Sequence, residues 1–195
     1  MGDYLTRAQL RSHLGYRPEF VEDDVQIDAA IAAAEALIVD WCGRSFTSAA
    51  SVADVRTYAS DGLTSMTVDD VEDTATAVVE TSSDRATWTA EDSADFFFDG
   101  PAGWPATSLC RISGVWPPGW VRVNAEHGWS AVPEAVTSAA KLVAAQLLAR
   151  RHSPSGVEFA GGEFGAAVRS SRYLDPTAQL LLAPYRRVDA FAGVA

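Results

Sequence analysis

The chain has 195 residues, with 48% hydrophobic and 21% charged, and carries a formal charge of -11 with a pI near 4.6. That length suits one domain of good size or a small domain with an insertion. Folding should bury roughly 70% of the unfolded chain's surface, so no disulfide or metal staple is required. No apolar run reaches the ~18 residues of a membrane helix, and the opening MGDYLTRAQL lacks the basic-then-apolar pattern of a signal peptide, so the expectation is a soluble protein made in a cytoplasm.

The first predicted element opens at Thr6 with Gln9 three residues later, a capping-box pattern, and ends at Gly15, which suits a left-handed helix end. A linker with Pro18 follows. Asp23 is placed to cap a second helix, where Ile27, Ile31, Ala34, Ile38 and Trp41 form one apolar stripe and the alanines raise helix propensity. Cys42 closes this helix and Gly43 stands just past it. From about Val52 to Trp129 short β-rich runs (VRTYA, SMTV, TAVVE, ATWTA, DFFF, CRIS, WVRVNA) alternate with turn signals at Asp61-Gly62, Ser83-Asp84, Asp99-Gly100-Pro101 and Pro117-Pro118-Gly119. A long helix resumes at Pro133, with Val136, Ala140, Val143 and Leu147 on one face and Arg150, Arg151 and His152 at its negative end. GVEFAGGEFGAAV then reads as a flexible Gly-rich stretch. Asp175 caps a short helix from Pro176 to about Leu182, which Pro184 stops.

These elements give an α+β expectation: a small helical bundle with an inserted antiparallel β region and an extended C-terminal tail. The expected divisions are N-terminal helices over residues 1–48, the β region over 49–130, the long helix over 131–153, and the Gly-rich segment, short helix and tail over 154–195.

The residues point to no catalytic centre and no cofactor. Cys42 sits at a helix C-terminus, where the dipole disfavours a thiolate, so a buried small apolar role is expected. The two cysteines and three histidines show no zinc spacing, and GxSxG and GxxxxGK[ST] are absent. Acidic pairs such as Asp69-Asp70 and Glu72-Asp73 lack a calcium-loop pattern. Five of six tryptophans (Trp88, Trp104, Trp116, Trp120, Trp129) fall in the β region, either as core or as a sugar-stacking platform. Charge is uneven. From Pro133 onward seven bases face five acids, about +2, which leaves about -13 for the rest. So acidic a body cannot hold DNA by phosphate neutralisation.

Three stretches carry a family resemblance: AAIAAAEALIVDWCGRSF, then VRVNAEHGWSAVPEAVTSAAKLVAAQLLARR, then LLAPYRR. In order and spacing they resemble the head–tail connector (adaptor) proteins of tailed bacteriophages, of the gp6-like type. The family strings fall on Gly43, Arg44 and Phe46, on Gly128, Trp129, Val132 and Pro133, and on Pro184, Tyr185 and Arg186. The β region is longer and richer in Trp than in short family members. The resemblance implies a non-enzymatic virion structural protein at the head–tail junction, made in the host bacterial cytoplasm. It implies a ring, dodecameric in related phages, beneath the portal protein, extending a channel through which DNA passes without specific binding. A stopper or tail-completion protein would dock below, and no membrane is involved. Tyr185, Arg186 and Arg187 are the candidate portal contacts, since Tyr and Arg favour interface hot spots. The alternatives are another junction ring protein, such as a stopper or tail-completion protein, or a soluble carbohydrate-binding module with exposed coplanar Trp rings.

Overall fold

The computed structural model describes residues 4–16, 24–47, 54–152, 157–159, 167–169 and 174–187, with the side chains of 151, 152, 157–159 and 167–169 outside the description. The linker with Pro18, the cap expected at Asp23, most of the Gly-rich stretch and the last residues of the tail lie outside the described residues. The chain divides into two compact units, Met1–Phe46 with Val132–Ala195, and Thr47–Ala131.

In the first unit, helix α1 spans Arg7–Leu14 and begins with a full capping box. The Thr6 hydroxyl accepts from the Gln9 N–H while the Gln9 side chain accepts from the Thr6 N–H. Gly15 ends the helix in the left-handed region, its N–H and that of Tyr16 closing onto the last turn. Helix α2, Asp24–Cys42, buries Ile27, Ala30, Ile31, Ala34, Ile38 and Cys42. Cys42 therefore closes the apolar stripe, while Trp41, predicted for that role, is half-buried on the flank. Helix α3, Glu134–His152, packs on α2 and buries Val136, Ala139, Ala140, Val143, Ala144 and Leu148. Leu148, not the predicted Leu147, ends its buried face. The alanines on both helices permit close approach of the backbones. Helix α4, Pro176–Leu182, packs on α3 through Ala178 and Leu182, and a 3-10 turn over Ala183–Tyr185 follows.

The second unit is a six-stranded antiparallel sheet. Its strands are β1 Asp54–Ser60, β2 Ser65–Ser82, β3 Thr89–Ala90, β4 Phe96–Asp99, β5 Ala106–Arg111 and β6 Gly119–His127. The order is β1-β6-β2-β5-β4, with β3 paired to the far end of β2. The first half of β2 pairs with β5 and the second half with β6, with register shifts between Thr67 and Val71 and between Asp73 and Val78. At the second shift the Asp73 carboxylate accepts from the Ala75 N–H and the Thr76 hydroxyl. This local bonding satisfies the bulge, so SMTV and TAVVE form one 18-residue strand rather than two. The core runs along the sheet from Val68, Phe96, Leu109 and Trp116 to Val79, Val121, Val123 and Ala125. Arg56 and Tyr58 of β1 reach Asp69 of β2, so side chains tie the edge strand to a strand that is not its neighbour. A separate hairpin joins β7, Val157–Phe159, to β8, Ala167–Arg169, inside the stretch read as a flexible linker.

The expected fold is thus corrected. Among the described residues the architecture is four α-helices together with an inserted six-stranded antiparallel sheet that has its own buried core, a mixed fold with a dominant sheet rather than a small helical bundle. The short helix expected from Pro176 is present as α4, and most of the tail beyond it lies outside the described residues. Asp175 accepts from the N–H groups of Thr177 and Ala178, and burial of Ala178 and Leu182 holds the helix in place.

Candidate functional site

The first and last of the motif strings meet at the C-terminal end of α2. Gly43 adopts φ 65°, and its N–H reaches the Val39 carbonyl, which closes the helix and turns the chain outward. Phe46, fully buried, then inserts between two tyrosine rings. Its centroid lies 5.9 Å from Tyr4 and 5.7 Å from Tyr185, both edge-to-face. The Tyr4 hydroxyl also accepts from the Phe46 N–H at 2.8 Å. From the other side, the Arg187 N–H donates to the Cys42 carbonyl at 2.9 Å, one of the orphan acceptors of the helix end. The Arg186 guanidinium lies 5.0 Å above the Trp41 ring, exposed to solvent. Pro184 fits the 3-10 turn because a missing N–H costs nothing at its first positions.

Cations therefore gather at the negative end of the α2 dipole, where they are favoured. Burial pushes the Cys42 thiol up to about 11, with Arg44 and Arg186 pulling it back only in part. The thiol stays protonated near neutral pH and is no nucleophile. What this corner offers is a half-buried Tyr, an exposed Arg over an indole and further arginines, the residue types that anchor protein interfaces. Tyr4 and Trp41 are members that sequence reading missed. Tyr4 precedes the capping box without any local signal, and Trp41 looked like core.

The other motif residues serve structure. The Gly128 N–H donates to the Asp70 carbonyl, and the Trp129 indole N–H to the buried Asp70 carboxylate at 3.0 Å, with Trp104 tilted against Trp129 at 5.4 Å. Pro133 stands just ahead of α3, its carbonyl accepting from Val136 and Thr137.

None of the five β-region tryptophans forms an open platform. Trp116 and Trp129 are buried, Trp104 leans on Trp129, and Trp120 and Trp88 lie beneath Arg85 at 3.2 Å and Arg122 at 4.5 Å. Arg122 is in turn paired with Glu80. The acidic pairs are dispersed too. Successive strand residues point to opposite faces, so Asp70 serves Trp129 while Asp69 binds Arg56 at 3.0 Å and the Tyr58 hydroxyl at 3.3 Å. Among the described residues no group of three or more His, Cys, Asp or Glu side chains is arranged to hold a metal ion, and no helix is long and apolar enough to cross a membrane.

No protein-family model matches the chain, and no curated protein matches it. Solved structures do. A chain in the neck of an empty gene transfer agent (GTA) particle, computed with C6 symmetry, superposes with a TM-score of 0.58 at 18% identity, over 95% of this chain and 90% of that one. A chain in the neck of a native GTA particle, computed with C12 symmetry, gives 0.53 at 19% identity over 93% and 87%. A chain in the virion of the native gene transfer agent particle gives 0.53 at 20% identity over 95% and 90%. The chain shares its fold, over nearly its whole length, with chains of gene transfer agent necks and virions.

Proposed function

We propose that the protein is a non-enzymatic structural component of a phage-like virion neck, a head-to-tail adaptor that forms a ring of twelve copies under a portal protein. The observation that carries this reading is the fold likeness, which spans 95% of this chain and 90% of a chain in a GTA particle neck, leaving little of either unmatched. The C12 symmetry of a second neck structure supports the ring of twelve. In this reading the ring prolongs the channel and presents its far side to a stopper or tail-completion protein. The virion is its site of action and the host cytoplasm its site of synthesis. Tyr185, Arg186 and Arg187 dock on the portal, from the corner where Arg186 stands exposed over Trp41.

Deleting the gene and imaging the particles tests the reading. The expected outcome is DNA-filled heads without tails, and normal tailed particles would end it. For the docking corner, Arg186→Glu with Arg187→Glu should abolish capture of the portal protein by the folded chain. Unchanged capture would refute that assignment alone.

A further inference from the structure

Phe96 and Phe98 of β4 face the core, which turns Phe97 outward opposite Cys110 of β5. Beyond that pair the Arg111 N–H bonds the Thr64 carbonyl and the Ile112 N–H bonds the Asp95 carbonyl, each at 2.8–2.9 Å. Leu63 and Asp95 therefore flank Ile112, one row beyond Ser65, Cys110 and Phe97. The Trp116 N–H, bonded to the Leu63 carbonyl at 2.9 Å, brings the next loop to the same end. The result is an outward apolar cluster over two rows, with Leu63 at 62% exposure, Ile112 at 62% and Phe97 at 48%. Clustered exposure of this kind marks an interaction surface, whereas scattered apolar residues do not.

Two further features define what fits. β4 ends the strand order and pairs only with β5, so its other side is an open edge among the described residues. Natural edges are usually blunted by Lys or Pro, but this one is FFFD with no such residue. The surroundings are negative. Exposed Asp95 and Asp99 bracket β4 and Asp61 precedes Leu63 by two residues, while the nearby cation, Arg111, is committed to Glu91 at 2.9 Å. Over residues 47–131 thirteen acids face four arginines and no lysine, a net charge of -9.

The geometry points to this end of the sheet as the docking site of an extended segment of a partner protein, one that carries an aliphatic residue with Lys or Arg two positions before and after it, all on one face, and adds as a strand to β4. The added strand gains main-chain hydrogen bonds from the edge, places an aliphatic side chain beside Phe97, and sets the cations two residues to either side against Asp95 and Asp99, which share the face of Phe97. Nucleic acid is disfavoured at the same surface by its phosphates. This inference does not rest on the adaptor reading, since it uses other residues.

The test titrates the full isotope-labelled chain with a short acetylated peptide of the pattern Lys-Thr-Val-Thr-Lys, with Glu-Thr-Val-Thr-Glu as control. Expected are saturable amide shifts confined to residues 61–65 and 92–115 for the Lys peptide and none for the control. Binding should weaken by at least about tenfold in a variant carrying Asp95→Lys and Ile112→Lys, both exposed positions, whose remaining spectrum shows the fold intact. Absent or unsaturable binding, shifts elsewhere, equal binding of both peptides, or full affinity in the variant would overturn the proposal. So would wild-type self-association in sedimentation that the same variant abolishes, because the patch would then join copies of this chain.

Discussion

Phe46→Ala removes the ring that joins the end of α2 to the C-terminal segment, while the Phe46 N–H can still reach Tyr4. The side chain is fully buried and makes edge-to-face contacts with Tyr4 and Tyr185 at 5.9 and 5.7 Å. Truncating a buried Phe costs about 3–5 kcal/mol, and each aromatic pair accounts for about 0.5–1.5 kcal/mol of that. Against a total stability of roughly 5–15 kcal/mol the loss is a large fraction. Phe46→Leu keeps most of the apolar volume and gives up the ring contacts, so about 1–2 kcal/mol is expected. Urea unfolding followed by far-ultraviolet circular dichroism reads this directly, since the helices of the first unit dominate that signal. A double-mutant cycle with Tyr185→Leu should return a coupling of about 0.5–1.5 kcal/mol. If Phe46→Ala costs less than about 1 kcal/mol, or the cycle shows no coupling, the aromatic contact does not hold the corner together.

His127 gives a pH test. Burial, and then the Arg56 cation, hold its imidazole below the ordinary value, so the unfolded chain binds the proton first as pH falls. Stability from this group is full above about pH 6.5 and is lost as pH drops through the lowered native value. The wild-type urea midpoint should therefore fall more steeply on acidification than that of His127→Phe, and parallel slopes would contradict it. Cys42, buried with its thiol pushed up to about 11, should react with a disulfide reagent roughly two orders of magnitude more slowly than half-buried Cys110 in the native chain, and at a similar rate in urea. Equal native rates would refute its burial. Gly119 has φ 133°, and an added Cβ would meet the Ser82 carbonyl oxygen at 2.6 Å. Gly119→Ala should then cost about 2 kcal/mol or more, seen as a lower melting temperature, and an unchanged one would show the backbone yields there.

What could be read ahead of the structure was what short-range chemistry decides. Thr6 with Gln9, Gly15, and Asp175 with Pro176 mark helix ends because each cap is bonded within a few residues of itself. The Ile27 to Ile38 face of α2 follows from period alone. Where a choice of one residue depended on a distant neighbour, the reading failed. Trp41 and Cys42 lie about 100° apart on the helix, and both continue the stripe; burial went to Cys42, and Trp41 lies under Arg186, 145 positions away in the chain. Reading SMTV and TAVVE as separate runs failed for a related reason. Asp73 and Thr76 bond as turn residues do, yet pairing with β5 on one side and β6 on the other carries the strand straight through. The meeting of the two motif strings was hidden for the same cause, since Phe46 and Tyr185 have no local signal for one another.

Charge bears on how such a protein treats DNA. The two units differ sharply: residues 47–131 carry -9, and the remainder carries 13 acids against 11 bases, or -2. Within the sheet unit Arg56, Arg111 and Arg122 are each paired with a carboxylate, and Arg85 lies flat on Trp120. Its few cations are thus spent on holding the fold, leaving a surface that phosphates avoid. In the proposed adaptor role a wall of that sign would let a duplex pass without sticking, and in the proposed edge docking the same excess of carboxylates would favour a basic, extended protein segment. Both proposals then draw on one distribution of charge.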